Sequence, residues 1–569
     1  MGWIFVATLR IPNDTSEDVN HAPALSDFSC IKCNQRFEDF FLRSFRLPHA
    51  RVAAKFASAK RAGNVSKPDF APAMIEHMQK MRRYKDPDRG AEHIPRVIDR
   101  FSVDRDPHGA IASFQPNGAT ITSNNAFFKD MGTNGRSCFT CHRPENGWSV
   151  TPADIAERFE KSRGTDPIFR LVDGATCPSD NVSTLRAKRH AYSLLLDKGL
   201  IRIGLAIPST AEFTLTAIED PYACSNNPAI GTSGILSMYR RPLPIANIKF
   251  LSTVMWDGRE SVSDLNTNLT NQAVDATLGH AQAAIAPTLA QAQEIVDFEM
   301  GLFTAQIFDR KAKFLTGDNA KGGPVALSIQ DFFIGVNDPL GLNPKGIPFT
   351  SQIFDLYRPW LSAGERHDHD DFRQSMGSEQ LFRNINATND WRRDDHERGM
   401  VNEHRRSVAR GEEVFNNTQI NITGVAGLND DLNTPSISGF CGTCHDSPNI
   451  GHHSVKAPLN IGVPDAGAKK PPVLDIAGLP VFTLTCTQGA LAGQVYKVTD
   501  PGRAMISGKC KDIGRFKGPI LRGLAARAPY FHNGSAANLH DVVNFYDQRF
   551  AIGLTHKQKT DLVNFLNTL

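Results

Sequence analysis

Two pentapeptides of one form, CFTCH from Cys138 to His142 and CGTCH from Cys441 to His445, constrain this chain more than anything else in it. Two thiols three positions apart reach the two vinyl groups of one porphyrin, and the next residue offers an imidazole to iron. Zinc would want four Cys or His ligands in paired spacings, and neither pentapeptide has such a partner nearby. The chain is therefore read as carrying two covalently bound haem c groups through Cys138, Cys141, Cys441 and Cys444, with His142 and His445 as proximal ligands.

A length of 569 residues, 40% of them apolar, is enough for two or more domains. The formal net charge of +3 and pI near 8.3 create no strong field, so no nucleic acid or anionic membrane is expected as partner. No stretch approaches the roughly 18 apolar residues of a transmembrane helix. Of ten cysteines, six remain beyond the haem motifs: Cys30, Cys33, Cys177, Cys224, Cys486 and Cys510. An even remainder suits disulfides, and Cys177 with Cys224 and Cys486 with Cys510 lie in loop-forming contexts, one pair in each half of the chain. Haem attachment and disulfides both place the protein outside the cytoplasm, in the periplasm. The first twenty residues read poorly as an export leader, with no basic start and a short apolar run before Arg10.

Residues 1–105 read as an extension, charged and irregular, with a helix near Ala73 to Arg83. From 106 onward, AFFKDMGTNGRSCFTCH and RGEEVFNNTQI…GFCGTCH look like two versions of one design, an aromatic-bearing segment leading into the haem cysteines. The expected architecture is mainly α, with two cytochrome c-like haem domains (106–400 and 401–569) and long loop insertions. Helical spacing of apolar residues predicts a helix within Thr288 to Ala312. The segment Arg366 to His404 reads as an exposed, charged connection. Its His367, Asp368, His369 and Asp370 suit a solvated loop better than a metal site.

Two further segments, RRPLPIANIKFLSTVMWDGRESV (Arg240 to Val262) and FKGPILRGLAARAPYFHNGSAANLHDVVNFY (Phe516 to Tyr546), resemble the bacterial dihaem cytochrome c peroxidase and MauG superfamily. With both CxxCH sites in order, the likeness extends over most of 106–569. It implies that the first haem reacts with hydrogen peroxide and the second stores or relays oxidising equivalents. It also implies that Trp256 lies between the haems and that Arg522 meets a propionate. The second haem's distal ligand falls at Tyr546, in place of the methionine usual in the peroxidases; Met505 is the competing candidate. A phenolate favours oxidised iron, whereas a thioether raises the potential.

Gln272 matches the relatives' distal glutamine, but ten residues on stands Gln282 in place of their proton-carrying glutamate. His280, with Asp275 behind it, is the nearest titratable candidate for that task, or else a ligand that closes the iron. The resemblance further implies a calcium ion held by Asn247 and the carbonyls of Arg527 and Pro529. The reductant would be a small cytochrome, a quinol or a protein side chain. Rival readings are an electron-transfer cytochrome with two closed irons and a dihaem oxygenase of an apolar substrate.

Overall fold

Helices begin where the sequence offers an acceptor for their first free N–H groups. In the computed structural model, which describes residues 94–224, 234–364, 395–468 and 470–569, the Thr151 hydroxyl accepts the Asp154 N–H at 3.3 Å to start Pro152–Ser162. The Asn538 side chain does the same for Leu539–Arg549, accepting from Asp541 at 3.0 Å. Thr288 with Gln291 and Thr555 with Gln558 form reciprocal capping boxes for Leu289–Met300 and His556–Leu566. All of these elements lie in one unit, Phe70–Leu569. The helix expected at Ala73 to Arg83, Cys30 and Cys33, and the residues His367 to Asp370 lie outside the described residues.

Strands are more numerous than the alternation suggested. Among the described residues they form five small antiparallel sheets, so a mainly α description gives way to a mixed one. The apolar run read as a helix through Ala312 stops being helical at Met300, and Phe303–Asp309 is a strand. It pairs with Gly109–Phe114, which pairs in turn with Phe101–Arg105. Phe303, Thr304, Ala305, Gln306 and Ile307 are all buried, so this strand has no polar face to betray a period of two. Its one long polar side chain, Gln306, donates from Nε2 to Asp106 Oδ2 at 2.7 Å and to the Phe308 carbonyl at 3.1 Å.

Two expected boundaries run through elements. Phe101–Arg105 precedes residue 106 yet belongs to the sheet that follows it. The helix Asp395–Asn417 crosses 400/401 and takes in residues read as an exposed connection. Its Val408, Ala409 and Phe415 are buried with Phe354, Tyr357, Trp360 and Phe565, and that burial stabilises a helix which its charged first half conceals.

The two halves of the chain are stitched together by an interstrand ladder. Phe213–Glu219, from the long stretch after the first motif, pairs with Val481–Cys486 from the loop after the second, and the latter also pairs with Val495–Val498. Both expected disulfides, Cys177–Cys224 and Cys486–Cys510, are formed.

Asp395–Asn417 packs on His556–Leu566 at a close crossing where Gly411 meets the backbone of Asp561. A Cβ on Gly411 would lie 2.0 Å from the Asp561 carbonyl oxygen. Asp561 is fixed there by Ser407 Oγ at 2.5 Å and Arg410 Nε at 2.9 Å. Alanine favours a helix over glycine by about 1 kcal/mol, yet overpacking costs about 1–3 kcal/mol. Gly411→Ala should therefore lower the melting temperature of the holoprotein, and a raised melting temperature would show that the crossing is looser than described.

Candidate haem sites

Each pentapeptide folds as a short 3-10 turn, Cys138–Thr140 and Cys441–Thr443. The threonine shared by CFTCH and CGTCH has one role in both: the Ser137 N–H donates to Thr140 Oγ1 at 3.0 Å, and the Phe440 N–H to Thr443 Oγ1 at 2.9 Å. Both motifs also orient their imidazole alike. Nδ1 of His142 lies 3.0 Å from the Trp148 carbonyl and Nδ1 of His445 lies 2.9 Å from that of Gly451. A carbonyl only accepts, so Nδ1 carries the proton and Nε2 keeps the lone pair that a metal requires. Burial holds both imidazoles neutral, His142 down to about 4.

A phenylalanine from the preceding segment flanks each ring, Phe127 at 6.4 Å from His142 and Phe415 at 6.2 Å from His445. None of the four motif cysteines is in a disulfide, unlike Cys177, Cys224, Cys486 and Cys510. Burial raises Cys441 and Cys444 to about 12, so they remain neutral thiols until they bond to something.

Cys441, Cys444 and His445 open onto a large, mostly apolar cavity shared with Phe415, Trp256 and Tyr546. Tyr546 comes from the helix Leu539–Arg549, and its hydroxyl makes no hydrogen bond among the described residues. Burial, then the neighbouring thiols, raise its phenol above the ordinary range, so only a cation in the cavity would favour the phenolate. The rival Met505 is elsewhere, buried with Ile207, Phe213, Met238 and Phe482 beside the Cys486–Cys510 bridge. Of the two candidates, Tyr546 alone shares the cavity with His445.

Trp256 is anchored at two points. Its Nε1 donates to the Arg241 carbonyl at 2.8 Å and its own carbonyl accepts the Lys517 N–H at 2.9 Å. Asp257 and Arg259, next along, are structural: Asp257 bonds Arg240 and Arg259, and Arg240 also reaches Asp500.

The cavity has cations and lacks acids. Burial, then the Arg527 charge, lower Lys517 to about 7, and burial lowers Arg527, also in the lining, and Arg522, buried just before it in sequence, to about 10. None of the three pairs with a carboxylate among the described residues, and Arg522 Nε has no partner at all. Two propionates of a porphyrin would complete this set. The donor set, the neutral imidazoles and the uncompensated cations fit haem.

At the first motif, Cys138 packs beside Phe127, Phe128, Phe139, Trp148, Ala273 and Phe298. Gln272, adjacent to Ala273, is half-buried on the helix Leu265–Gly279. His280 is close enough for its charge to lower His142, but its backing differs from the expectation. His280 Nδ1 meets Asp173 Oδ2 at 2.5 Å, with Arg136 on the other oxygen at 2.6 Å. Asp275 instead pairs with Glu260, a buried carboxyl raised to about 7 by burial and then by Asp275 itself.

The acid that the sequence reading missed is Glu299. It is 4% exposed, on the helix Leu289–Met300, raised to about 8 by burial alone, and its charge acts on Cys138. It stands 27 residues beyond Gln272 instead of ten. A glutamate embedded in the apolar stretch IVDFEM was the available signal.

No family model matches the chain. It is 34% identical over 140 residues to cytochrome-c peroxidase IdrP2 of Denitromonas iodatirespirans, covering 23% of this chain and 36% of that one. To cytochrome-c peroxidase IdrP1 of Pseudomonas sp. (strain SCT) it is 28% identical over 143 residues, with the same coverages. The matched part is thus about a third of the length of these curated relatives. A crystal structure of a MauG-like protein associated with microbial copper homeostasis aligns with a TM-score of 0.32 at 15% identity, over 78% of this chain and 86% of that one.

Motif cysteines outside any disulfide beside oriented imidazoles, and similarity to proteins named cytochrome-c peroxidases, imply c-type haem. Over about a quarter of its length the chain is similar to proteins named cytochrome-c peroxidases.

Glu299 allows a test without turnover. A carboxyl whose folded pKa stands above its ordinary value contributes stability at low pH, and that stability is lost as pH rises from the ordinary carboxylate range through about 8. The stability of Glu299→Gln relative to the parent should therefore increase from pH 5 to pH 8, by up to about 1.4 kcal/mol for each unit of displacement. Denaturant unfolding of both holoproteins across that range measures it, and a pH-independent difference would remove the raised carboxyl.

Proposed function

We propose that this chain is a peroxidase-like dihaem oxidoreductase. Cys138, Cys141 and His142 would hold one haem, which would supply the chemistry with hydrogen peroxide. Cys441, Cys444, His445 and Tyr546 would hold the other, which would store or relay oxidising equivalents, with Trp256 as the residue between them. The observation that carries this reading is the cavity in which Trp256, His445 and Tyr546 meet while Met505 lies elsewhere.

Bound haem would supply the redox centre that exchanges electrons with peroxide; the rest falls to the side chains. Reduction of peroxide to water consumes protons, and Glu299 is protonated below about 8 beside Cys138, which suits it to give and retake one there. Gln272 contributes an uncharged donor on the neighbouring helix. His280, tied to Asp173, is a second proton carrier at that end.

Trp256 offers an indole whose position is set by two backbone bonds, so a transferred hole meets a fixed path with little reorganisation. Tyr546, once ionised, would stabilise the oxidised second centre and suit it to hold an oxidising equivalent.

The reductant is a small cytochrome, a quinol or a protein side chain. Periplasmic operation agrees with the two disulfides. No helix among the described residues is long and apolar enough to cross a membrane.

Stopped-flow mixing of the diferric holoprotein with peroxide tests the scheme: one haem should respond first and the second follow. In Trp256→Phe the first response should persist and the second slow by about tenfold or more, the equivalent of about 1.4 kcal/mol in barrier. An equally fast second response would remove Trp256 from the path, and two low-spin haems unresponsive to peroxide would overturn the peroxidase reading. Tyr546→Met should raise the midpoint potential of the second haem; an unchanged potential and spectrum would exclude Tyr546 as ligand.

A further inference from the structure

The calcium ion implied by resemblance does not fit the residues that should hold it. A calcium ion takes six to eight oxygens that are free to point at it. Asn247 is 4% exposed, and both ends of its amide are tied to the backbone of one residue: Oδ1 accepts the Thr304 N–H at 2.9 Å and Nδ2 donates to the Thr304 carbonyl at 2.8 Å. The Arg527 carbonyl, the second expected ligand, already receives Nη2 of Arg241 at 3.0 Å.

The same guanidinium donates from Nη2 to the Val150 carbonyl at 2.7 Å and from Nη1 to the Lys198 carbonyl at 2.9 Å. Three carbonyl oxygens from three distant stretches of chain therefore converge on one buried cation, as they would on a metal ion. Arg241 is 5% exposed and meets no carboxylate among the described residues. The charged group that acts on it most is another cation, Arg527; Tyr530 is the other titratable neighbour. Burial and the Arg527 charge lower its guanidinium to about 9, which leaves it protonated at neutral pH. A divalent ion at these carbonyls would face two guanidinium groups with no acid to offset them.

We propose that the guanidinium of Arg241 is the resident cation of this carbonyl cradle, standing where relatives place a metal ion, and that the protein works without calcium. The backbone of the same residue extends the role. Its N–H donates to the His532 carbonyl at 2.6 Å, and its carbonyl holds Trp256 Nε1 at 2.8 Å. Arg241 is thus a positioning residue for Trp256, tying the loop after the first motif, the long stretch that follows and the segment Arg527 to His532 to a single node. A covalently attached cation cannot be chelated or lost on dilution, so the arrangement around Trp256 is independent of the calcium supply. This inference does not depend on peroxide being the substrate.

The test uses the full-length holoprotein. After dialysis against EGTA, elemental analysis should find calcium far below one ion per protein, and the haem spectrum should be the same with chelator and with millimolar calcium. Stoichiometric calcium that survives dialysis, or a spectrum that changes with EGTA and recovers with calcium, would overturn the proposal. In Arg241→Asn, which removes the cation and offers an amide oxygen, the second-haem spectrum should change in EGTA and return toward the parent's as calcium is added. Arg241→Lys, which keeps a cation, should stay near the parent without calcium. An Arg241→Asn spectrum identical to the parent's in EGTA would show that the cradle needs no cation and overturn the proposal. Should that variant fail to fold, the metal content of the parent protein still decides.

Discussion

The second cavity is organised around a charge imbalance that the polypeptide does not resolve by itself. Lys517 and Arg522 are buried, and with Arg527 they have no carboxylate partner among the described residues. An unpaired buried charge costs several kcal/mol, so a chain folded around this cavity is complete only with an anion in it. The neighbouring ionic network makes the contrast clear. Arg240 and Arg259 are matched by Asp257 and Asp500, two cations against two anions, and that network holds the WDGR turn with no ligand. One charge set is closed and serves the fold; the other is open and serves a cofactor.

The two haem motifs share more than their cysteines and histidines. In each, the carbonyl that orients the imidazole belongs to the sixth residue after the histidine, and in each that residue has a left-handed backbone: φ is 60° at Trp148 and 68° at Gly451. Glycine adopts this conformation freely, whereas a side-chain-bearing residue there costs about 1–2 kcal/mol. At Trp148 the strain is offset by complete burial among Phe127, Phe139 and Phe298 and by an indole N–H donated to Ser113 at 2.8 Å. The first motif thus uses a large aromatic where the second uses a glycine. The second keeps its space for the cavity that Trp256 and Tyr546 share.

Legibility followed chemistry more than pattern. The CxxCH motifs, the disulfide pairs and the preference for Tyr546 over Met505 each depend on what a residue type can do; both disulfides are formed, and Tyr546, unlike Met505, lines the cavity onto which His445 opens. Phe303–Asp309 was misread because a strand buried on both faces has no period to reveal. Asp395–Asn417 was misread in part because its charged first half hides an apolar stripe. Glu299 was missed because an acid was sought ten residues beyond Gln272, and spacing along the chain does not say which buried carboxyl the fold brings to Cys138. Asn247 was chosen for a metal because it is an asparagine near the right place. No sequence pattern says that its amide is already engaged by Thr304, or that a guanidinium fifteen residues before Trp256 reaches the Arg527 carbonyl.

Burial acts on different ionisable groups at the two motifs. Beside Cys138 it drives Glu299 toward its neutral, protonated form. At the cavity of the second motif it weakens bases, Lys517 to about 7 and Arg527 to about 10, and Arg527 stays cationic at neutral pH. Protonated carboxyls are a source of protons for a reaction that consumes them. Fixed cations hold an anionic porphyrin and would raise its potential, against the lowering that a phenolate from Tyr546 would bring. Were Tyr546 to act as a phenolate there, the neighbouring cations would offset part of that lowering, and both influences would come from residues 517–546.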